Sequence, residues 1–233
     1  MSTILETLDA REPNEDPHNL ASITVGHTRC LECGHVHNDM ETRRKVPCPI
    51  CGMICDCRAA FFDGDERSLL EMIFESYLSK SSRQVCVLLF CTLMELHLRA
   101  FLINRCRCLG IDWPIIDLLL DRSPRFEDRL KLFEKICGCS VEEALAGTEV
   151  ANVFFERRNL HRKRNGLVHG PRNITDYSAR AVSEQDIRLA VELATNSFSA
   201  FAFLHNKYCS VDAPLLPSPA LTQPVKREIA PEI

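Results

Sequence analysis

The chain lacks an excess of positive charge. Its 233 residues carry 28 Lys and Arg against 32 Asp and Glu, a formal net charge of −4. That excludes a generally basic coat, so any contact with nucleic acid must use a local patch. A long apolar run is also missing. The longest nearly apolar stretch, Val85 to Met94, falls well short of the roughly 20 residues that cross a bilayer. The first twenty residues hold acids, prolines and asparagines, not the basic start and apolar run of a secretory signal. No internal repeat is visible. These absences lead us to expect a soluble, cytoplasmic protein with no membrane partner.

Cysteine, in contrast, is abundant at 13 residues. The number is odd and no secretion signal accompanies it, so metal binding and reduced core thiols are expected instead of a disulfide framework. With 45% apolar residues, the chain suits one medium domain plus a small one. Residues 1–22 form a polar arm, expected to be disordered. Residues 23–58 are dense in Cys, His, Gly and Pro and lack helical periodicity, as in a small metal-stapled unit of short strands. From Phe61 to residue 209 the pattern is helical. The segment 210–233 is rich in proline (Pro214, Pro217, Pro219, Pro224, Pro231) and is also expected to be disordered. The expected fold class is mainly α: a helical bundle preceded by a small β zinc ribbon.

Within the bundle, helices are expected at about 65–78, 82–108, 113–120, 126–137, 149–169 and 183–208. A short one follows the capping box that Ser140 and Glu143 spell. Ser183 and Asp186 repeat that form with Asp in place of Glu. Cys86, Cys91, Cys106, Cys108, Cys137, Cys139 and Cys209 read as core or near-surface thiols.

Cys30-Leu31-Glu32-Cys33-Gly34 and Cys48-Pro49-Ile50-Cys51-Gly52 are matching turns, each a Cys-x2-Cys followed by Gly. Two thiolates at that spacing grip one metal from a tight turn, and the trailing Gly lets backbone amides approach the sulfurs. Fourteen residues separate the pairs. The expectation is tetrahedral zinc on Cys30, Cys33, Cys48 and Cys51, with a β-hairpin made partly by residues 36–47. His35, His37, Cys55 and Cys57 compete as ligands, but the duplicated turn favours the four cysteines. Four thiolates leave no position for a water, so this zinc is structural and no catalytic metal is expected. Arg43, Arg44 and Lys45 sit on the expected hairpin, as a partner contact or as a solvated loop.

The densest chemistry lies in Arg-Arg-Asn-Leu-His-Arg-Lys-Arg-Asn-Gly-Leu-Val-His-Gly, residues 157–170. Val150, Val153, Phe154, Arg157, His161, Arg164 and Val168 fall on one stripe at helical spacing, the face that meets the core. A charge there is costly unless it is paired or lines a cavity, so at least one arginine is aimed inward or at an interface. Arg158, Arg162 and Lys163 lie to the side, toward water. His169 falls in the last turn, where the negative end of the helix suits a cationic side chain. Arginine clamps phosphate and histidine moves protons near neutral pH. Glu95 stands in an otherwise apolar helix with Arg99 four residues on, an arrangement that suits a pair on one helix or an accessory role at the site.

Arg164, Asn165, His169 and Gly170, on the penultimate long helix of a helical domain, resemble the hallmark of the HEPN superfamily. That hallmark is an Arg-x4–6-His motif, often with Asn after the Arg and Gly after the His. The earlier helix bearing Glu95 also resembles the family's early buried helix, and the resemblance covers about residues 65–208. It implies a helical bundle that dimerises, with the two motifs meeting across the cleft. It further implies metal-independent cleavage of RNA by 2′-hydroxyl transesterification, in a toxin or antiviral setting with an inhibitor or defence partner. In that scheme Arg164, Asn165 and His169 are catalytic, while Arg157, Arg158, Arg162 and Lys163 hold the RNA backbone. The alternative is a non-catalytic module that binds RNA or nucleotide, or docks a partner. One toxin subclass has Tyr two residues after the His, where this chain has Pro171.

Overall fold

The computed structural model describes residues 4–10, 27–30, 32–38, 47–48, 50–53, 58–60, 62, 64–79, 82–169 and 181–209. The fold is mainly helical, a bundle with a small three-stranded sheet beside it. In chain order the elements are α1 (Ile4–Asp9), β1 (His27–Cys30), β2 (Val36–Asn38), β3 (Arg58–Ala60), α2 (Gly64–Leu78), α3 (Val85–Cys108), α4 (Trp113–Asp121), α5 (Phe126–Cys137), α6 (Val141–Leu145), α7 (Val153–His169) and α8 (Glu184–Cys209).

Helix α3 is the axis of the bundle. Its buried residues include Cys86, Val87, Phe90, Cys91, Leu93, Met94, Leu98, Phe101 and Leu102, which cover roughly half of its circumference at about 100° per residue. So broad a buried face needs several neighbours, and α2, α4, α5, α7 and α8 all pack on α3. Taken whole, α3 and α8 are both long and apolar enough to cross a membrane, with 56% and 61% of their most apolar windows buried inside the bundle. The short apolar run counted from sequence understated α3, because the helix continues beyond Met94 through Leu98, Phe101 and Leu102.

Helix ends follow the local chemistry. Ser140 and Glu143 form the reciprocal capping box, with Oγ accepting from the Glu143 amide at 3.2 Å and Oε2 from the Ser140 amide at 2.8 Å. Ser183 and Asp186 do the same at α8, at 3.2 and 2.8 Å. Gly138 ends α5 at φ 80°, a left-handed position that favours glycine.

Two expectations need correction. The N-terminal arm is not wholly unstructured: α1 buries Leu5 and Leu8 against the bundle. Asp9 locks it in place, accepting from the Tyr77 hydroxyl at 2.7 Å and from Arg188 at 2.9 Å. Two leucines three apart give even one and a half turns an apolar face. Helix α7 begins at Val153, not 149, because residues 148–153 form tight turns, with Val153 N–H donating to Val150 O at 3.2 Å. The hairpin pairs residues 36–38 with β1 upstream, and β3 adds a third strand on β1's other edge. The sheet order is β2-β1-β3, all antiparallel, with Arg29 opposite Val36 and Cys30 opposite Arg58. Residues 39–46, with Arg43, Arg44 and Lys45, lie outside the described residues, as do residues 11–26, Cys55, Cys57 and the segment 210–233.

Candidate functional site

Two places hold reactive side chains in numbers: the cysteine turns beside β1, and the C-terminal half of α7.

The two Cys-x2-Cys-Gly turns adopt the same geometry. Gly34 N–H donates to Cys30 O at 2.9 Å, and Gly52 N–H to Cys48 O at 2.8 Å. Cys30 and Cys48 N–H donate to His35 O and Met53 O, both at 2.9 Å. The glycines close each turn at φ 74° and 72°, where a side chain would be strained. The four sulfurs lie within 4.8 Å of one another. Cys30 Sγ is 3.7 Å from Cys51 Sγ, and Cys33 Sγ is 3.6 Å from Cys48 Sγ. A tetrahedral zinc with Zn–S bonds of about 2.3 Å needs sulfur separations of roughly 3.8 Å, so the four cysteines could hold a metal ion such as zinc. The thiol chemistry agrees. The Cys33 amide donates to the Cys30 sulfur and pulls that thiol down to about 6. Burial, with the adjacent thiols, pushes Cys33 up to about 12. One thiolate forms readily and the next is opposed, a conflict that a divalent cation removes. The turn is tied to the bundle by α8: Asn206 brackets Val36, accepting from its N–H at 2.7 Å and donating to its carbonyl at 2.8 Å.

On α7 the structure separates residues that the sequence groups together. Arg157 is fully buried. Its guanidinium lies over the Phe126 ring, 3.4 Å from the centroid. Its nitrogens approach Glu95 at 3.5 Å and Glu127 at 3.6 Å. Arg157 is thus a structural cation joining α7 to α3 and α5, and its expected role on the RNA backbone is withdrawn: a side chain with no exposed surface cannot meet a polyanion. Glu95 likewise pairs across to α7, not with Arg99 on its own helix.

Arg158, Arg162 and Lys163 do reach the surface. Arg158 pairs with Glu142. Arg162 donates to Asn159 at 2.8 Å. Lys163 donates to Ala181 O at 2.8 Å and stands 3.6 Å from Asp186, which ties α7 to the start of α8. Exposed pairs of this kind are weak and exchange readily.

Arg164 is half-buried, its Nη1 donating to Asn165 Oδ1 at 3.2 Å. Among the described residues it makes no ion pair. His169 is exposed in the last turn of α7. Asn165 and His169 are four residues apart and share a face. Arg164 and His169 are five apart, roughly 140° around the axis.

Comparison with known proteins gives no match to a family model, a curated protein or a solved structure.

His161 was placed on the α7 stripe from sequence but not among the site residues. It is half-buried, and its Nδ1 is enclosed without a hydrogen-bond partner among the described residues. Burial lowers its pKa, the Arg157 and Arg164 guanidiniums lower it further, and Glu95 opposes them. A neutral imidazole beside a guanidinium can accept a proton. It stands about 12 Å along the axis from His169, too far for both to serve one phosphate from one helix. The helical stripe was the available signal, because it aligned His161 with both arginines.

Proposed function

We propose that the chain is a HEPN-type endoribonuclease that cleaves RNA by 2′-hydroxyl transesterification. The observation that carries this reading is the open end of α7. There an Arg164 guanidinium, steadied by Asn165 and without an ion pair among the described residues, lies five residues before an exposed His169. The 2′-oxygen attacks the adjacent phosphorus while a histidine takes its proton, and the P–O5′ bond breaks as a proton is returned to the 5′-oxygen. The products are a 2′,3′-cyclic phosphate and a 5′-hydroxyl. His169 moves protons, Arg164 neutralises charge on the phosphate oxygens, and Asn165 orients the guanidinium. Arg158, Arg162 and Lys163 give the backbone a basic track. Because Arg164 and His169 diverge around α7 by roughly 140°, two copies of α7 facing one another bring one of each to a phosphate, which supports a homodimer. The Cys30, Cys33, Cys48 and Cys51 unit holds a structural zinc with no open position. A cytoplasmic toxin or antiviral role, restrained by an inhibitor or defence partner, follows from the same reading.

The test is RNA cleavage by the purified zinc-loaded protein in magnesium-free buffer, with the new ends analysed. His169→Ala should lower the rate by about 100-fold or more with its melting temperature unchanged. Full activity in that variant sinks the assignment. RNA that binds but stays uncut moves the reading to a binding module. For the metal, elemental analysis should find one zinc per chain, and Cys33→Ser should lose it while the helical circular dichroism persists.

A further inference from the structure

Helices α3 and α8 end side by side, and each ends on a cysteine, Cys108 and Cys209. Arg105, buried one turn before Cys108, donates from Nη1 to the Tyr208 carbonyl and fixes the two ends together. Cys108 Sγ lies 3.6 Å from the Cys209 carbonyl oxygen, and the two thiols hydrogen-bond to each other. They are 101 residues apart in sequence, so only the packing of α8 on α3 pairs them.

This pair differs from the other thiols of the bundle. Cys86, Cys91, Cys106 and Cys137 are buried. Burial pushes Cys86 and Cys137 up to about 12 and Cys91 up to about 11, which keeps a thiol protonated and unreactive. Cys139 is half-buried, with its sulfur 3.1 Å from the Tyr208 hydroxyl. Among the described cysteines of the bundle, Cys108 is the exposed one. The hydrogen bond from Cys209 holds its thiol down to about 6, burial opposes this, and Arg105, Arg29 and Arg107 reinforce it. The same bond, with burial and the charge on Cys108, pushes Cys209 up. An exposed thiolate near guanidiniums, backed by a protonated thiol, is the arrangement of an attacking and a resolving cysteine.

We propose that Cys108 is a site of oxidation by hydroperoxides, and that Cys209 resolves the oxidised sulfur into a reversible disulfide that clamps α8 to α3. With hydrogen peroxide, the Cys108 thiolate attacks one oxygen: an S–O bond forms, the O–O bond breaks, and the departing hydroxide takes a proton from solvent. The sulfenic acid no longer carries the thiolate charge, so the bond and the charge that hold the Cys209 proton are lost. The Cys209 sulfur then attacks Cys108 Sγ. An S–S bond forms, the S–O bond breaks, and hydroxide leaves as water with the Cys209 proton. The two thiols give up two electrons, and the peroxide is reduced to two waters. Because both residues end their helices, the sulfurs can close to the roughly 2.05 Å of a disulfide by adjusting a last turn. The pair is separate from the α7 site and does not depend on the ribonuclease reading.

The test is brief treatment of the zinc-loaded full chain with hydrogen peroxide, then alkylation of free thiols and tryptic mass mapping without reductant. Cleavage after Arg107, Arg122, Lys207 and Lys226 puts Cys108 and Cys209 in separate peptides that hold no other cysteine. These two peptides, joined with the loss of two hydrogens, should appear in the monomer at least about tenfold faster than Cys139 is oxidised, and should part in dithiothreitol. Dimedone present during the reaction should trap a sulfenic acid on Cys108 and suppress the link. In Cys209→Ser the link should vanish and the dimedone adduct on Cys108 should accumulate. Should that variant misfold, the wild-type time course and its dimedone trap decide the matter. No link between Cys108 and Cys209, a link formed only between chains, a dimedone adduct on Cys209 instead of Cys108, or Cys108 oxidised no faster than Cys139 would each overturn the proposal.

Discussion

Arg157 and Arg164 sit two turns apart on one face of α7, in the same sequence context, and the fold uses them in opposite ways. Arg157 meets Phe126, Glu95 and Glu127 and has no contact with solvent. Among the described residues Arg164 hydrogen-bonds only its neighbour Asn165, and it stays half-open. The difference lies in the surrounding helices: α3 and α5 close over the first half of α7, and the second half runs toward its exposed end. Identical side chains on one helical stripe become a structural cation or a chemical group according to what covers them.

The largest test of that contrast removes the buried arginine. Arg157→Ala leaves a void and strips two carboxylates of their partner, so it should cost about 3 kcal/mol or more by urea denaturation. Arg157→Met keeps the bulk without the charge and should recover most of that loss, because Glu95 and Glu127 keep 35% and 57% of their side-chain surface exposed and stay hydrated without the partner. A Met variant as unstable as the Ala variant would mean that charge pairing, not bulk, holds the site. The next test lies at the boundary, in His161. Its folded pKa is lowered, so the folded chain binds fewer protons there than the unfolded chain. This leaves stability unaffected above the unfolded value near 6.5 and erodes it as pH falls through that value, by at most about 1.4 kcal/mol per pH unit. Stability measured from pH 7.5 to 5 should fall less steeply in His161→Gln, and parallel curves would remove His161 from the buried half. The smallest effect belongs to the open end. Arg164→Ala should change stability by only about 0.5 kcal/mol, and a loss matching that of Arg157→Ala would erase the distinction.

Much of the fold was legible before any coordinates. The capping pairs Ser140–Glu143 and Ser183–Asp186 act within one helical turn, so their spacing sufficed to mark two helix starts. The duplicated Cys-x2-Cys-Gly turns were readable for the same reason, since each is closed by its own backbone. What failed was non-local. Leu5 and Leu8 look like scattered apolar residues in a polar arm until Tyr77 and Arg188 arrive to hold Asp9. Glu95 has Arg99 within reach in sequence, yet its partner lies 62 residues away on another helix. His97 reads as one more position on an apolar helix, and only the packing of α2 and α8 against α3 makes it the floor of a cavity.

By itself the sequence determined the helical class, most helix ends, the four-sulfur cluster and the stripe that aligns Arg157, His161 and Arg164. Each of these depends on hydrogen bonds or side-chain spacings within a few residues, which local backbone geometry sets. Tertiary structure alone decided which of those arginines is buried, which carboxylates meet it, and which histidines lose their water. Those outcomes depend on neighbours that arrive from other helices, and burial changes the energy of a charge far more than its position along one helix does.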